Sequence, residues 1–178
     1  MDPERTRTFL SRAPEGTRAL GLALGRALPP GTVLALDGEL GSGKTCFVQG
    51  LAAGLGVADR VTSPTYALLQ SYSGRLDLHH FDAYMEGRER ALLLDGGLEW
   101  MHQGGVAAIE WASRVSDVLP RPLVWILFEH AGAQDRRLSL RVEGDGVEGD
   151  GEDAKRLVAM LRAIVPPPGI EDAAEEIR

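Results

Sequence analysis

Residues 32–45 read Thr-Val-Leu-Ala-Leu-Asp-Gly-Glu-Leu-Gly-Ser-Gly-Lys-Thr, an apolar run that leads directly into a glycine-rich stretch. The second part, residues 38–45, matches the pattern G-x-x-x-x-G-K-S/T at every required position. The apolar part predicts a buried strand over 32–37, and residues 45–55 predict a helix. A turn between a strand and a helix binds phosphate because the first helical N–H groups and the positive end of the helix dipole point at the ligand.

Four residues of this loop have roles in phosphate and metal binding. Gly41 and Gly43 let the backbone come close to a phosphate, because they have no Cβ. Lys44 is expected to reach the β- and γ-phosphates, and the Thr45 hydroxyl is expected to ligate Mg²⁺. The chain has only two lysines against seventeen arginines, which fits a position where a compact point charge is needed. A glycine-rich turn that merely precedes a helix is the alternative, and the flanking elements disfavour it.

Length and composition describe a globular chain with room for a core. It has 178 residues, of which 44% are hydrophobic and 25% charged, as is usual for such proteins. No apolar run approaches the length of a membrane span, and the first residues lack a signal-peptide apolar region. The single Cys46 excludes an intramolecular disulfide and fits a reducing compartment. We therefore expect a cytoplasmic protein with no membrane segment.

The net charge of −7 is concentrated in the last part of the chain, since ten acidic and four basic residues follow from Glu143 onward. Residues 144–153 are rich in Gly and Asp and predict a flexible linker. An amphipathic helix is expected over 154–165, and the end is expected to be frayed. These features predict a P-loop domain over residues 1–143 and a tail over residues 144–178.

The near-neutral body has no stripe of lysine and arginine of the kind that binds nucleic acid by itself. Any connection to RNA is therefore expected to come through a partner protein.

Helical and strand patterns alternate along the body, which predicts an α/β sheet with helices on its faces. Residues 123–129 and 137–142 predict a late hairpin. The other predicted elements are helix 14–28, strand 32–37, helix 45–55, strand 65–72, strand 76–81, helix 87–103, strand 106–109 and helix 112–119.

Two carboxylates stand where catalysis would need them. Hydrolysis of a nucleotide requires carboxylates that hold Mg²⁺ and position water near the γ-phosphate. Asp82 and Glu110 each follow a predicted strand, and an open α/β sheet gathers such positions beyond the carboxyl ends of its strands. Each could instead cap the next helix. Beside a working loop we favour function, so Lys44, Asp82 and Glu110 are the predicted catalytic residues.

Other polar and aromatic residues keep two interpretations. The segment Ser63-Pro64-Thr65-Tyr66 could sense a γ-phosphate, but taken alone an ordinary turn is favoured. Trp111 could stack on a base or belong to the core. His79 and His80 alternate on a strand, and plain packing is favoured for both. Cys46, in the first helical turn, could have a lowered thiol pKa, but a small buried residue is favoured.

Four motifs follow one another in order. They are residues 38–45, Ser63-Pro64-Thr65-Tyr66, His80-Phe81-Asp82-Ala83-Tyr84 and Ile109-Glu110-Trp111. Together they resemble the motifs of the TsaE family, also called YjeE, over about Leu20 to Val142. The first motif is generic, whereas the other three at these spacings are specific. The resemblance implies a P-loop NTPase-like α/β fold of three layers, with a central, mostly parallel sheet and a late antiparallel hairpin.

The resemblance also implies a function. TsaE proteins are small P-loop ATPases needed to make N6-threonylcarbamoyladenosine in tRNA, and they work with the proteins TsaD and TsaB. The implied activity is Mg²⁺-dependent ATP hydrolysis, weak in the isolated protein, that resets the partner complex between rounds of transfer. The implied cofactors are ATP and Mg²⁺, and tRNA is contacted only through the complex.

Site residues are implied in the same way. Thr45 and Glu110 would bind Mg²⁺, with Asp82 assisting. Thr65 would belong to a switch loop, Trp111 would lie near the nucleotide, and Arg136 in the late hairpin would contact it. The residues that would hold the ATP phosphates are Gly41, Ser42, Gly43, Lys44, Thr45 and Cys46.

The chain departs from the family at two of its motifs. Met85 stands where the family usually has Arg, and Cys46 stands where it often has Thr. The first departure bears on a partner contact or on the switch geometry, and it does not threaten nucleotide binding.

Two other classes of protein stay open on the residues alone. A small-molecule kinase of the P-loop type would need a second substrate pocket and usually an arginine-bearing lid. A nucleotide-switched binding module would use the same loop with little turnover. A GTPase is disfavoured, because neither lysine lies in the N-K-x-D context that reads guanine.

Overall fold

The computed structural model describes residues 4–64, 67–84, 91, 93–94, 104–144 and 151–173. Within them the chain forms one eight-stranded sheet, three α-helices and a short 3₁₀ helix over Ala112–Arg114. The elements in chain order are β1 (Thr6–Ser11), α1 (Pro14–Ala27), β2 (Val33–Gly38), α2 (Lys44–Gly54), β3 (Leu69–Tyr72), β4 (Leu78–Asp82), β5 (Val106–Glu110), β6 (Leu123–His130), β7 (Arg136–Glu143), α3 (Glu152–Ala163) and β8 (Ile170–Asp172).

The sheet is parallel at its centre and antiparallel at its flanks. The strand order is β3-β4-β5-β2-β6-β7-β1-β8. Strands β4, β5, β2 and β6 run parallel, whereas β3, β7, β1 and β8 pair antiparallel with their neighbours. The predicted α/β P-loop fold and its late hairpin, β6–β7, are confirmed. Because β2, β4 and β5 are parallel, their carboxyl ends meet at one edge of the sheet.

Each face of the sheet has its own core. Alternate residues of the parallel strands, such as Leu34 and Ala108, pack with Leu24 of α1 and Leu51 of α2. The residues that lie between them, such as Ile109, form a second core on the opposite face, where the segment after β5 covers the sheet. Fully burying one leucine side chain stabilises the fold by about 1.5–3 kcal/mol. These two cores hold the carboxyl edge of the sheet in place.

Helices α1 and α2 touch through their backbones. A Cβ placed on Gly21 would overlap the carbonyl oxygen of Phe47, and one placed on Gly50 would overlap the carbonyl oxygen of Arg18. Only glycine allows helices to come this close, because every other residue would push them apart. This contact fixes α2, and with it the loop that precedes α2.

Two predicted elements are shorter in the structure than the sequence indicated. The predicted strand over 65–72 begins only at Leu69, because Leu68 takes a left-handed conformation (φ 65°) that breaks an extended chain. The predicted helix over 112–119 is wrong beyond the 3₁₀ turn Ala112–Arg114. Ser116 and Asp117 follow that turn, and such side chains compete with helical hydrogen bonds. The predicted helix over 87–103 lies almost wholly outside the described residues.

The tail differs most from its prediction. The helix expected over 154–165 is present as α3, which starts within the predicted linker at Glu152, and residues 145–150 lie outside the described residues. The predicted frayed end is wrong for Ile170–Asp172, which pairs with β1 as β8. Arg7 of β1 donates to the carbonyl oxygens of Leu161 (3.0 Å) and Ile164 (2.7 Å), at the end of α3. The N-terminal strand therefore holds the tail, and that pairing was not predicted.

None of the described helices is both long enough and apolar enough to cross a membrane.

Candidate functional site

A cleft of about 470 Å³ opens at the carboxyl ends of β2, β4 and β5. It lies where the sequence placed the phosphate-binding loop and the two carboxylates. The residues that line it are Leu40, Gly41, Gly43, Lys44, Thr45, Cys46, Ser63, Asp82, Tyr84, Glu110 and Trp111.

The loop between β2 and α2 has the geometry that phosphate binding requires. Gly41 (φ 75°) and Gly43 (φ 108°) are both in the left-handed region, which favours glycine. Gly43 is the N-cap of α2, and no side chain of the described residues caps that helix end. The first N–H groups of the helix are therefore left for an anion. Ser42 is fully buried, and its Oγ has no hydrogen-bond partner within the described residues.

Lys44 is the first residue of α2 and is 5% exposed. Its Nζ donates to the carbonyl oxygens of Gly38 (2.7 Å) and Glu39 (2.9 Å), on the same loop. The same atom lies 3.9 Å from the centre of the Trp111 ring, a favourable cation–π distance. Burial lowers the pKa of Lys44, although neighbouring carboxylates, Glu110 first among them, oppose that shift. The lysine is thus held over the loop at the position where phosphates would lie.

Thr45 and Glu110 contact each other across the cleft. The Thr45 hydroxyl lies 2.8 Å from Oε1 and 3.1 Å from Oε2 of Glu110, which is 4% exposed. Glu110 ends β5, and β5 pairs in parallel with both β2 and β4. The sheet register therefore delivers this carboxylate to the first turn of α2.

His80 also contacts Glu110, which the sequence did not indicate. The ring is fully buried on β4, and its Nε2 lies 2.9 Å from Glu110 Oε1. The prediction of plain packing is therefore wrong for His80. His79, on the opposite face, has its Nδ1 2.9 Å from Ser71 Oγ. Only the spacing of His80 two residues before Asp82, on the same strand face, could have signalled this contact.

Asp82 is buried at the end of β4 and ties two segments together. Its Oδ2 accepts a hydrogen bond from Ser63 Oγ (2.9 Å), and its Oδ1 accepts one from the backbone N–H of Tyr84 (3.0 Å). The second bond is a local turn of the kind expected for aspartate. The carboxylate both lines the cleft and fixes the chain around it. Thr65, predicted to belong to the switch, lies outside the described residues.

The oxygen atoms gathered here suit Mg²⁺. A hydroxyl on Thr45 and carboxylates on Glu110 and Asp82 are hard donors, which this ion prefers. The described residues contain no group of three or more His, Cys, Asp and Glu side chains able to hold a metal by themselves. Mg²⁺ at nucleotide sites needs no such cage, because water and phosphate oxygens complete its shell. The residues present therefore fit the ion.

An aromatic wall closes one side of the cleft. The Tyr84 and Trp111 rings lie 5.1 Å apart, and the Arg114 guanidinium lies 5.1 Å from the Tyr84 ring centre. Trp111 takes a left-handed conformation (φ 59°) directly after β5. The indole lines the cleft beside Lys44 and, partly buried, also packs against the second core.

Two predicted ligands lie at the margin of the loop. Arg136, the first residue of β7, donates through Nη2 to the carbonyl oxygen of Gly41 at 3.2 Å. It touches the loop without lining the cleft. Cys46 lines the cleft and is half-buried, and its Sγ lies 3.2 Å from the carbonyl oxygen of Pro14. Burial raises the pKa of the Cys46 thiol, against the lowered pKa considered from the sequence, and the side chain is half-buried rather than buried as favoured there.

Comparison with known proteins gives one consistent family. The family model "Threonylcarbamoyl adenosine biosynthesis protein TsaE" matches residues 11–138. The tRNA threonylcarbamoyladenosine biosynthesis protein TsaE of Treponema pallidum is 42% identical over 137 residues, which are 77% of this chain and 93% of that protein. The protein of that name in Bacillus subtilis is 38% identical, over 76% of this chain and 85% of its own length.

The fold gives the same result. The crystal structure of Bacillus subtilis YdiB superposes with a TM-score of 0.70 at 30% sequence identity, covering 89% of this chain and 95% of that one. Likeness over this length, in sequence and in three dimensions, shows that the chain belongs to the TsaE family.

Proposed function

We propose that this protein is a Mg²⁺-dependent ATPase that supports the TsaD–TsaB complex in forming N6-threonylcarbamoyladenosine in tRNA. Membership of the TsaE family and the names of the relatives support the pathway. One observation carries the ATPase: a glycine-rich loop, its lysine and two buried carboxylates converge on one cleft.

The loop and Lys44 would hold the nucleotide. Backbone N–H groups of residues 41–46 would bind the β- and γ-phosphates, as helix N-termini do. Lys44 Nζ would exchange the carbonyl oxygens of Gly38 and Glu39 for phosphate oxygens, which make stronger, charge-assisted hydrogen bonds. Arg136, already against Gly41, is placed to add a second cation at the rim of the loop.

Thr45, Glu110 and Asp82 would hold Mg²⁺. When bound, the ion would neutralise charge that develops on the phosphates. The carboxylates would also orient the attacking water molecule, because a carboxylate accepts hydrogen bonds that the water donates. Asp82 also accepts a hydrogen bond from Ser63 Oγ. Loss of the γ-phosphate would therefore alter the contacts of the segment 63–66, which we propose as the switch.

The isolated protein is proposed to turn over slowly. Both groups that must meet the nucleotide, Lys44 and Thr45, are already hydrogen-bonded within the protein. Binding ATP must break those bonds first, which lowers the affinity for ATP and so the fraction of the protein that carries it at a given concentration. A second candidate is a nucleotide-switched binding module with negligible turnover, which is supported by the contact between Asp82 and Ser63 of the proposed switch. A kinase would need an acceptor site beside the phosphates, whereas a second cavity of the described residues lies at the amino ends of β2 and β6, by Thr32 and Pro122.

RNA is proposed to enter only through the partner proteins. The net charge is −7, and affinity for nucleic acid by electrostatics alone requires a basic surface.

Binding and hydrolysis of labelled ATP with Mg²⁺ test this function, with and without purified TsaD–TsaB. Lys44→Ala should lose ATP binding, and Glu110→Ala should keep binding but lose hydrolysis by about 10²–10³-fold, the usual effect of removing a charge-stabilising group. Hydrolysis by the unsubstituted protein should rise with the partners. If ATP is bound but not hydrolysed under any condition, the nucleotide-switched binding module is the better description. If the partners affect neither ATP binding nor hydrolysis, the proposed role in the complex is contradicted.

A further inference from the structure

The buried imidazole of His80 has a defined place beneath the two carboxylates. Residues 80 and 82 share one face of β4, and Asp82 is in register with Glu110 on β5. His80 therefore lies one step further into the sheet than the carboxylates, on the same face. Within the described part of the chain it does not line the cleft, so its only route to the nucleotide is through Glu110.

The direction of the hydrogen bond follows from the chemistry of its two groups. An ionised carboxylate only accepts hydrogen bonds, so Nε2–H of His80 must donate. Glu110 Oε1 then receives donors from two elements, His80 on β4 and Thr45 on α2. Among the described residues, the hydrogen bond to Oε2 is the longer one, 3.1 Å, from the Thr45 hydroxyl. Two donors converge on Oε1 and hold the carboxylate, so Oε2 is the less engaged of its two oxygens.

A histidine is a costly choice for a purely structural role at this point. The residue is fully buried, and its Nδ1 has no hydrogen-bond partner among the described residues. A buried polar atom without a partner destabilises the fold, and an apolar side chain would avoid that cost. The Nε2 contact with Glu110 is what an apolar residue could not supply.

We propose that His80 is a positioning residue, whose Nε2–H holds the Glu110 carboxylate so that its second oxygen faces the metal ion of a bound nucleotide. The proposal rests on the proposed function, because it requires Glu110 to be a ligand of Mg²⁺. Hydrogen bonds from residues behind a metal ligand orient that ligand and typically change metal affinity by 10- to 100-fold.

The test uses the full-length protein and reads metal binding rather than turnover alone. His80→Leu removes the donor, and His80→Gln keeps an N–H at the end of a side chain of similar reach. His79→Gln is the matched control, one residue along and on the opposite face. Mn²⁺ affinity is measured by electron paramagnetic resonance with saturating ADP, nucleotide affinity by calorimetry without metal, and folding by the thermal unfolding midpoint.

The expected result separates the two affinities. His80→Leu should weaken Mn²⁺ binding by about 10- to 100-fold and leave metal-free ADP affinity within about twofold. His80→Gln should restore most of the Mn²⁺ affinity, and His79→Gln should match the unsubstituted protein. Turnover should follow Mn²⁺ affinity across the series, through kcat more than KM.

Three outcomes would overturn the positioning role. One is a folded His80→Leu protein with unchanged Mn²⁺ affinity. Another is equal loss in His80→Leu and His80→Gln, which would assign the effect to ring shape. If His80→Leu does not fold, His80→Asn replaces it, because asparagine is too short to reach Glu110. The third outcome is then an equal Mn²⁺ affinity of the His80→Asn and His80→Gln proteins. Failure of the proposed function is distinct, because it is measured on the unsubstituted protein, which would then bind no nucleotide or would bind it without hydrolysis, with or without the partners.

Discussion

At the scale of single residues, the polar side chains of the cleft are hydrogen-bonded to other residues of the protein. Lys44 is held by two loop carbonyls and by the Trp111 ring, and Thr45 is held by Glu110. These bonds satisfy the buried ammonium of Lys44 and the partly buried hydroxyl of Thr45, and a buried polar group without a partner would be costly. Nucleotide affinity therefore depends on the difference between the contacts that Lys44 and Thr45 make within the protein and those that they would make with the phosphates and the metal ion. Trp111 contributes to the first set through its contact with Lys44.

Cys46 offers a prediction about reactivity, because it is the single cysteine and it lines the cleft. Burial raises its pKa, so less thiolate is present at neutral pH than in an unfolded chain. Alkylation of the native protein by iodoacetamide at pH 7 should be slower by on the order of tenfold than in denaturant. The rate should keep rising with pH beyond the range in which the unfolded thiol reaches its plateau. Intact-mass spectrometry over time measures both rates.

Nucleotide should slow this alkylation further, since phosphates would occupy the loop beside the sulfur. The Lys44→Ala protein is the control, because ADP should not protect its cysteine. Rapid labelling of the native protein at pH 7 would contradict the raised pKa and would favour activation by the helix dipole.

The sequence placed Lys44, Thr45, Asp82 and Glu110 well, because each is defined by a motif or by its position just after a strand. These side chains do meet in one cleft. His80 could not be found in this way. Its partner Glu110 is 30 residues distant in the chain, and the contact exists only because the register of β4 and β5 brings the two together.

At the scale of elements, the contact between α1 and α2 decides where the loop lies. Helix propensity alone predicts that Gly50→Ala stabilises α2 by about 0.5–1 kcal/mol. The added Cβ, however, would overlap the backbone oxygen of Arg18, which cannot move unless the helices separate. Overpacking of this kind costs about 1–3 kcal/mol or more. The steric cost is the larger, so Gly50→Ala should lower the free energy of unfolding measured in urea.

Ala53→Ser is the control for this substitution, because Ala53 is exposed on the same helix. Its effect should stay within about 0.5 kcal/mol. Nucleotide affinity should fall in Gly50→Ala and not in Ala53→Ser, since a shifted α2 displaces Lys44. A Gly50→Ala protein that is more stable than the unsubstituted one would show that the helices can separate freely.

Helices and strands were predictable from the sequence where the local hydrophobic pattern is strong. They were missed where they form only through contacts with distant parts of the chain. The apolar runs of β2 and β5 and the amphipathic pattern of α1 fixed those elements within one or two residues. Strand β8 has only three residues and follows three prolines, so nothing local indicates a strand. It forms because β1 offers an edge to pair with.

At the scale of the whole molecule, the described part of the tail, residues 151–173, packs on the same core as the helices beside the site. Leu157 and Leu161 of α3 are buried in the core that also contains the helices of the loop. Arg7 caps the end of α3 and pairs with Asp172. A chain ending at Glu143 should therefore lose several kcal/mol of stability, at about 1.5–3 kcal/mol for each buried leucine. Urea denaturation of residues 1–143 measures this loss.

A chain ending at Ala173 is the matched control, since it keeps α3 and β8. Its unfolding midpoint should equal that of the full chain. Size-exclusion chromatography adds a second readout, because removal of β8 exposes the edge of β1, and exposed strand edges associate. Equal stability of the two truncated chains would show that residues 1–143 fold as an independent unit.

The place of β1 in the sheet sets an order of events on the ribosome. Its only neighbours are β7 and β8, and Thr6 pairs with Arg141. At ordinary rates of translation, β7 emerges on the order of 10 s after β1. Strand β1 precedes the other described strands in the chain and is thus among the last of them to find its partners. The part of the sheet from β3 to β6, which carries the cleft, is complete earlier, once β6 has left the exit tunnel, and β7, β1 and β8 are then added along one side of it.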